Sequence, residues 1–154
     1  MPNFSIEEIS FPDDLTSEGI EQIKSLMQQL LHGRNPYWIN RDSLRRTIEQ
    51  DNVWVYTATL NKKIVGMFLM YLVETTTRRV LFIEELVVDE KHRRQGVALA
   101  LMEVAIAFAR TNKVDCIELN VGKNNEPARK LYFRLGFKDR NNDAFRLTTA
   151  KDAF

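Results

Sequence analysis

The stretch Val80-Leu81-Phe82-Ile83-Glu84-Glu85-Leu86-Val87-Val88-Asp89-Glu90-Lys91-His92-Arg93-Arg94-Gln95-Gly96-Val97-Ala98 decides how this chain is read. Its first nine residues are apolar on both alternations, as a strand covered on both faces must be. Glu84 and Glu85 break that pattern. Successive strand side chains point to opposite faces, so at least one of these carboxylates meets a covered side or a cleft. An unpaired carboxylate there costs several kcal/mol unless it is neutralised or partnered. Two readings follow. Either the strand frays here or a glutamate pairs with an arginine, or a carboxylate lines a cleft and is suited to accepting a proton.

The second half of the stretch crowds Lys91, His92, Arg93 and Arg94 before a helix that starts near Val97. A helix N-terminus disfavours cations and favours anions. Asp89 and Glu90 offset part of the conflict. A bound anion resolves the rest, because free backbone N–H groups at a helix start point at it. Gly96 lets a phosphate approach the backbone closely, and Ala98 keeps the next turn small. A solvated basic loop with an incidental glycine is the other reading. The pattern is neither a G-x-G-x-x-G dinucleotide fingerprint nor a P-loop, for no G-K-[ST] follows.

Working outward, residues 53–60 and 64–73 are rich in β-branched and aromatic residues around the turn Asn61-Lys62-Lys63, which predicts an antiparallel hairpin. A polar turn at 75–79 leads into the strand 80–88. Residues 97–110 then read as a helix, 114–121 as a strand and 126–135 as a helix. Gly136 stands just past that helix, where a left-handed cap is needed, and Phe137 begins a further strand. Residues 144–149 are a candidate last strand. Toward the N-terminus, residues 3–10 alternate as a first strand. Ile20, Ile23, Leu26, Met27, Leu30 and Leu31 fall at helical spacing within 15–31. Breakers at 32–36 stop that helix, and 41–50 is a short second one capped by Asn40. A strand–helix–strand unit over 80–121 implies a parallel pair. The expected fold is α/β (α+β): a mixed, mainly antiparallel central sheet of six to seven strands, helices on both faces and a central parallel pair.

The length of 154 residues fits one domain, 1–154, with a full core. At 44% hydrophobic, 28% charged and a net charge of +1, the chain has no bulk field favouring nucleic acid or acidic membranes. No apolar run is long enough for a membrane span, and no signal pattern opens the chain, so cytoplasm is the expected setting. The single Cys116 lies in an apolar stretch and reads as a buried structural thiol. His32 and His92 have no acid at ligand spacing, so no metal site is expected. Met67 and Met70 read as core or pocket lining.

Arg93-Arg94-Gln95-Gly96-Val97-Ala98 resembles the acetyl-CoA signature [QR]-x-x-G-x-[GA] of the GCN5-related N-acetyltransferase (GNAT) superfamily. Asn125-Glu126-Pro127-Ala128-Arg129-Lys130-Leu131-Tyr132-Phe133-Arg134-Leu135-Gly136-Phe137 resembles its second signature, N-x-x-A-x-x-L-Y-x-x-x-G-F. The resemblance covers residues 50–140; the first 50 match only in element order. It implies acetyl-CoA as acetyl donor, its pyrophosphate held by backbone N–H groups of Arg94, Gln95, Gly96, Val97 and Ala98, with charge from Arg93 and Arg94. It implies pairing of the pantetheine arm with the backbone of Leu86, Val87 and Val88, and a contact from Asn125. Tyr132 is implied as general acid, and Glu84, with Glu85 as second choice, as the base that deprotonates the amine.

The chemistry is coherent on its own terms. Attack on a thioester needs a neutral amine, a stabilised oxyanion and a protonated leaving thiolate. A carboxylate, backbone N–H groups and a phenol can meet those needs. The resemblance implies a primary amine of a small molecule or peptide as the expected acceptor. Gly122-Lys123 stands where the resemblance to ribosomal-protein N-terminal acetyltransferases would place arginine, which weakens a protein N-terminus as acceptor. His32, Arg34, Tyr37 and Trp38 form either part of an acceptor pocket or a packed surface loop. The alternative to an enzyme is a non-catalytic acyl-CoA-binding regulatory module of the same fold. Other acyl donors and a homodimer are left open.

Overall fold

The computed structural model describes residues 3–36 and 38–149; Tyr37, named above with the acceptor loop, lies outside them. The chain divides into two compact units, Met1–Asn120 and Val121–Phe154.

The first unit is built on one sheet. Its strands are β1 (Ser5–Glu8), β2 (Val53–Leu60), β3 (Lys63–Glu74), β4 (Arg79–Val88) and β5 (Cys116–Leu119), in the spatial order β1-β2-β3-β4-β5. The first three pairings are antiparallel and β4–β5 is parallel. The helices are α1 (Ser17–Leu30), α2 (Arg41–Ile48) and α3 (Val97–Thr111). The parallel pair and its helical crossover are present as the sequence predicts, but at one edge of the sheet among the described residues; the expectation of a central pair is corrected, because no strand follows β5 there to cover it.

Alternation along the strands sorts the helices. Val55, Met67, Leu69 and Val87 join Ile20, Ile23, Leu26 and Met27 of α1 and Leu44 and Ile48 of α2 in one apolar cluster. On the other face Trp54 meets Phe108 of α3 with ring centroids 4.6 Å apart. Helices thus cover both faces of the sheet. Met67 and Met70 are buried on opposite faces, both as core. Burying side chains such as Phe68, Ile23, Leu26, Leu81 and Leu101 stabilises the fold by about 1.5–3 kcal/mol each.

The helix ends follow their local chemistry. The Thr16 hydroxyl accepts from Gly19 N–H at 3.0 Å to start α1. Asn40 and Ser43 cap α2 reciprocally. α1 closes with Gly33 N–H donating to Gln28 C=O at 2.8 Å across a left-handed His32, φ 54°.

In the second unit α4 (Glu126–Arg134) starts at Asn125, whose Oδ1 accepts from Ala128 N–H at 3.3 Å. It ends in a Schellman motif: Gly136 is left-handed, φ 91°, and Phe137 N–H donates to Tyr132 C=O at 2.9 Å. The expected strands after Phe137 and over 144–149 are absent. The sheet has five strands among the described residues, and the expectation of six to seven is corrected. The reason is local. Asp139 Oδ1 accepts from Asn141 N–H at 2.8 Å, Asn141 is left-handed, and Arg129 donates to Asp139 at 3.4 Å. Side-chain bonds of this kind give the backbone an alternative to a ladder. Phe145 and Leu147, within the candidate last strand, are largely exposed.

Candidate functional site

The site in the first unit begins where β4 departs from regularity. Its pairing with β3 runs Leu69↔Glu84 and then Met67↔Val87, so Phe68 alone faces the step Glu85–Leu86. This is a β-bulge, and Glu85 carries it in the left-handed region, φ 55°. A non-glycine residue there costs roughly 1–2 kcal/mol. On the other side of β4, the parallel ladder with β5 ends at Ile83↔Leu119. Beyond it, residues 84–88 have no strand partner on that side among the described residues.

The bulge also changes the carboxylates. Strict alternation, assumed from sequence, fails at Glu85, so neither glutamate is fully buried: Glu84 is half-buried and Glu85 exposed. Glu85 reaches solvent on one side, yet protein packs densely around the rest of it. That density sets the direction of its titration: burial raises its carboxyl above the usual 4.5, and the nearby Glu84 carboxylate adds to the rise. On the face that carries α1, Glu84 neighbours Leu69, and Tyr71 pairs with Phe82 one step along. Burial, and then the Glu84 charge, push the Tyr71 phenol up.

Past β4, a turn of 3-10 helix, Glu90–His92, leads toward α3. Arg94 is left-handed, φ 63°, and Gly96, the N-cap of α3, has φ 84°. No side chain caps α3. Its first N–H groups are therefore unserved by any cap, and alternating left-handed residues before a helix form an anion-binding concavity. A Cβ added at Gly96 would meet nothing within 4 Å. The residues present thus fit a phosphate: open space, free donors and the positive end of a 15-residue helix.

Arg93 has a different first partner from the one expected. Asp89 N–H donates to Val65 C=O at 2.9 Å, so antiparallel alternation turns the polar groups of Val88 away from β3. The Val88 carbonyl accepts from Arg93 Nε at 3.1 Å. Arg93 thus ties the end of β4 to the loop, and only its terminal nitrogens remain to face an anion.

Gly66 is a residue the sequence reading missed. A Cβ there would lie 3.0 Å from Val97 Cγ1 and 3.2 Å from Val87 C=O. Its bareness lets the first turn of α3 lie close on the sheet. An isolated glycine inside a strand pattern is the available signal for such an approach.

Other expected residues divide. Trp38 is exposed and stacks under Arg46, whose guanidinium carbon is 5.6 Å from the ring centroid. His32 and Arg34 are exposed. Cys116 is half-buried rather than buried, with Sγ 4.0 Å from Glu118 Oε1. His92 Nδ1 lies 3.2 Å from Asp89 Oδ2. Among the described residues no three His, Cys, Asp or Glu side chains gather as a metal site, and no helix is long and apolar enough to cross a membrane.

In the second unit Tyr132 is the buried residue of α4, while Leu131 and Leu135, assigned to the core from spacing, are half-buried. Its ring tilts against Phe137 at 5.7 Å, and burial raises its phenol above 10.0. The Asn125 side chain, expected on the coenzyme, has its Oδ1 engaged as the α4 cap.

The sequence profile of the acetyltransferase (GNAT) family matches residues 18–137. The chain belongs to the acetyltransferase (GNAT) family. It is 25% identical over 135 residues to an uncharacterized N-acetyltransferase of Methanocaldococcus jannaschii, covering 82% of this chain and 60% of that one. The chain spans between 20% and 60% of the length of the curated relatives it matches. Among solved structures, its fold is similar to an aminoglycoside acetyltransferase from an uncultured soil metagenomic sample in complex with sisomicin. The TM-score is 0.81 at 21% identity, over 96% of this chain and 97% of that one. It is also similar to the aminoglycoside acetyltransferase AAC(6′)-Iy, solved with a bisubstrate analogue joining CoA to an acetylneamine. There the TM-score is 0.74 at 16% identity, over 96% and 99%. At these identities the likeness shows the GNAT fold alone. The GNAT family uses acetyl-CoA.

Proposed function

We propose that this chain, residues 1–154 acting as one domain, is an N-acetyltransferase that moves an acetyl group from acetyl-CoA to a primary amine of a small molecule or peptide. The observation that carries the reading is one juxtaposition within the first unit. The unpartnered edge of β4, residues 84–88, leads directly into the uncapped start of α3. An extended thioester-bearing arm suits the first and its pyrophosphate suits the second.

Bound, acetyl-CoA supplies the thioester carbonyl that the amine attacks. The chain's residues supply the rest. Backbone N–H groups at Arg94 to Ala98 hold the phosphate oxygens, and within Leu86 to Val88 the N–H of Val88, turned away from β3, is available to a chain laid along β4. Glu84, or Glu85 as second choice, takes the proton from the amine. Burial, and then the Glu84 charge, raise the Glu85 carboxyl and make it a stronger base than an ordinary glutamate, which keeps the second choice alive. Tyr132 is assigned the general-acid role from the signature it belongs to; its raised phenol stays protonated at neutral pH. Small-molecule amines are favoured as acceptors by two aminoglycoside-modifying structures among the similar folds. A cytoplasmic setting belongs to the same reading.

The test is release of free CoA from acetyl-CoA across a panel of polyamines, aminoglycosides, amino acids and peptides. Amine-dependent release supports the reading. Tight acetyl-CoA binding without release for any amine would leave the non-catalytic module instead, and no binding would remove both.

A further inference from the structure

The loop that carries the anion site is anchored from a helix 60 residues earlier in the chain. Gln29, on the last turn of α1, uses both ends of one amide. Its Nε2 donates to Asp89 Oδ1 at 3.3 Å, and its Oε1 accepts from Glu90 N–H at 2.9 Å. Asp89 is itself a hub. It accepts from Lys91 N–H at 3.4 Å and faces His92 Nδ1 at 3.2 Å, and its own N–H bonds to Val65 C=O at 2.9 Å. Burial alone would raise this carboxyl. The bonds from Lys91, Gln29 and His92 together outweigh burial and lower it, so it is ionised and accepts all three.

We propose that Gln29 is a positioning residue for the anion site, a clamp that sets where the start of α3 lies relative to the end of β4. Two of the residues between the clamp and the helix, Arg94 and Gly96, are held left-handed. Such conformations persist only when the surroundings over-determine them. Apart from the Asp89 N–H bond to Val65 C=O, which continues the β3–β4 ladder, the loop has two hydrogen-bonded ties outside itself among the described residues: Gln29 to α1 and Arg93 Nε to Val88 C=O. The second joins the loop only to its own strand. Gln29 is the side-chain tie that fixes it to a helix on the face of the sheet. The clamp touches neither the bulge nor the open edge of β4, so its effect is on coenzyme binding rather than on the reacting atoms. This rests on the acetyl-CoA reading above.

The experiment uses Gln29→Ala, Gln29→Glu and the pair Gln29→Glu with Asp89→Asn. Gln29→Glu keeps an acceptor for Glu90 N–H but sets a second carboxylate against Asp89. Adding Asp89→Asn replaces one of those carboxylates with an amide, whose nitrogen can donate to the new glutamate while its oxygen still accepts. Calorimetric titration with acetyl-CoA is expected to show about 5- to 10-fold weaker binding for Gln29→Ala, the worth of two modest hydrogen bonds. Gln29→Glu should be weaker still, and the double variant should recover part of the loss. In steady state, KM for acetyl-CoA should rise by more than kcat falls. In the free protein, the Glu90 amide should exchange at least about tenfold faster in Gln29→Ala, while amides in the interior of α1 keep their protection. A wild-type protein that fails to bind acetyl-CoA would sink the proposed function, and the exchange measurement would still decide the clamp. Unchanged Glu90 exchange, or wild-type affinity in Gln29→Glu beside a wild type that binds, overturns it. So does a uniform loss of protection through α1, which would make Gln29 a residue of general stability.

Discussion

Gly96→Ala separates backbone strain from coenzyme approach, because the free structure offers an added methyl open space. The residue has φ 84° and no atom within 4 Å of a new Cβ. In the free protein the cost is therefore conformational, about 1 kcal/mol for an L residue in the left-handed region. For a chain of this size that lowers Tm by about 2–4 °C. With coenzyme bound, the same methyl stands over the start of α3, where the phosphate would lie. Losing one or two charge-assisted N–H bonds there is worth about 2 kcal/mol, or roughly 30-fold in Kd. At acetyl-CoA near 100 times its Kd, the wild type gains about 2.7 kcal/mol by linkage. The variant at that concentration stands near three times its own Kd and gains about 0.8 kcal/mol. Melting curves with and without acetyl-CoA read both effects at once. A slightly lower Tm with a collapsed coenzyme-induced shift is the expected pattern. A variant that melts lower yet keeps the full shift would refute the reasoning, since the strain would be real and the phosphate would be bound elsewhere.

Three further outcomes follow from the geometry. Gly66→Ala should weaken coenzyme binding and lower Tm together, because its Cβ meets Val97 Cγ1 at 3.0 Å and displaces the first turn of α3; wild-type values for both would mean the helix start yields freely. Glu85→Gln should alter the pH dependence of stability. A raised carboxyl keeps its proton in the folded state after the unfolded chain has lost it. Folded stability therefore falls as pH climbs from the ordinary value of 4.5 through the raised one. Urea titrations across that window should show the slope in the wild type and its absence in the variant, with the variant more stable at neutral pH and equal in acid. Tyr132→Phe should reduce turnover by roughly 10²-fold, the low end for a lost general acid, with little change in Tm. Its hydroxyl makes no hydrogen bond among the described residues, so the ring alone serves the fold; full turnover would make Tyr132 a packing residue.

Most of the first unit was legible because its signals are local and agree. The hairpin β2–β3 was marked by a polar turn between β-branched runs, and Asn61 and Lys62 do take left-handed conformations there. In that unit α2 began at Asn40, the cap read from the sequence, and α1 stopped at the breakers around Gly33; the Thr16 cap of α1 went unread. Illegible were the features that depend on a distant partner. Nothing adjacent in sequence links Gln29 to Asp89, or tells a glycine in a strand that Val97 will press upon it. The last strands were over-read for the opposite reason. Apolar residues such as Phe145 and Leu147 favour a strand only where a neighbour covers them, and both are exposed.

The open edge of β4 has two separate local origins, and sequence reasoning could reach only one. A regular β4 would carry its parallel ladder past Ile83 into the residues after Leu119. Of those residues Asn120, Gly122, Lys123 and Asn124 are poor strand formers, with only Val121 a good one, and Asn125 N–H closes a turn onto Gly122 C=O at 3.0 Å. That stop is marked by residue types, although the strand expected over 114–121 overran it by two residues. The bulge is not: Glu85 is left-handed without being glycine, asparagine or aspartate, the residues that advertise such a conformation. Its cause is the register mismatch between Leu69↔Glu84 and Met67↔Val87, a property of two strands rather than one. The two origins act at neighbouring residues, so removing one leaves the other. Glu85→Gly should relieve the left-handed strain while leaving the bulge in place. Such a variant should keep its coenzyme affinity, which a calorimetric titration would read directly. Loss of affinity in it would mean that the glutamate side chain, rather than the bulged backbone, is what the site requires.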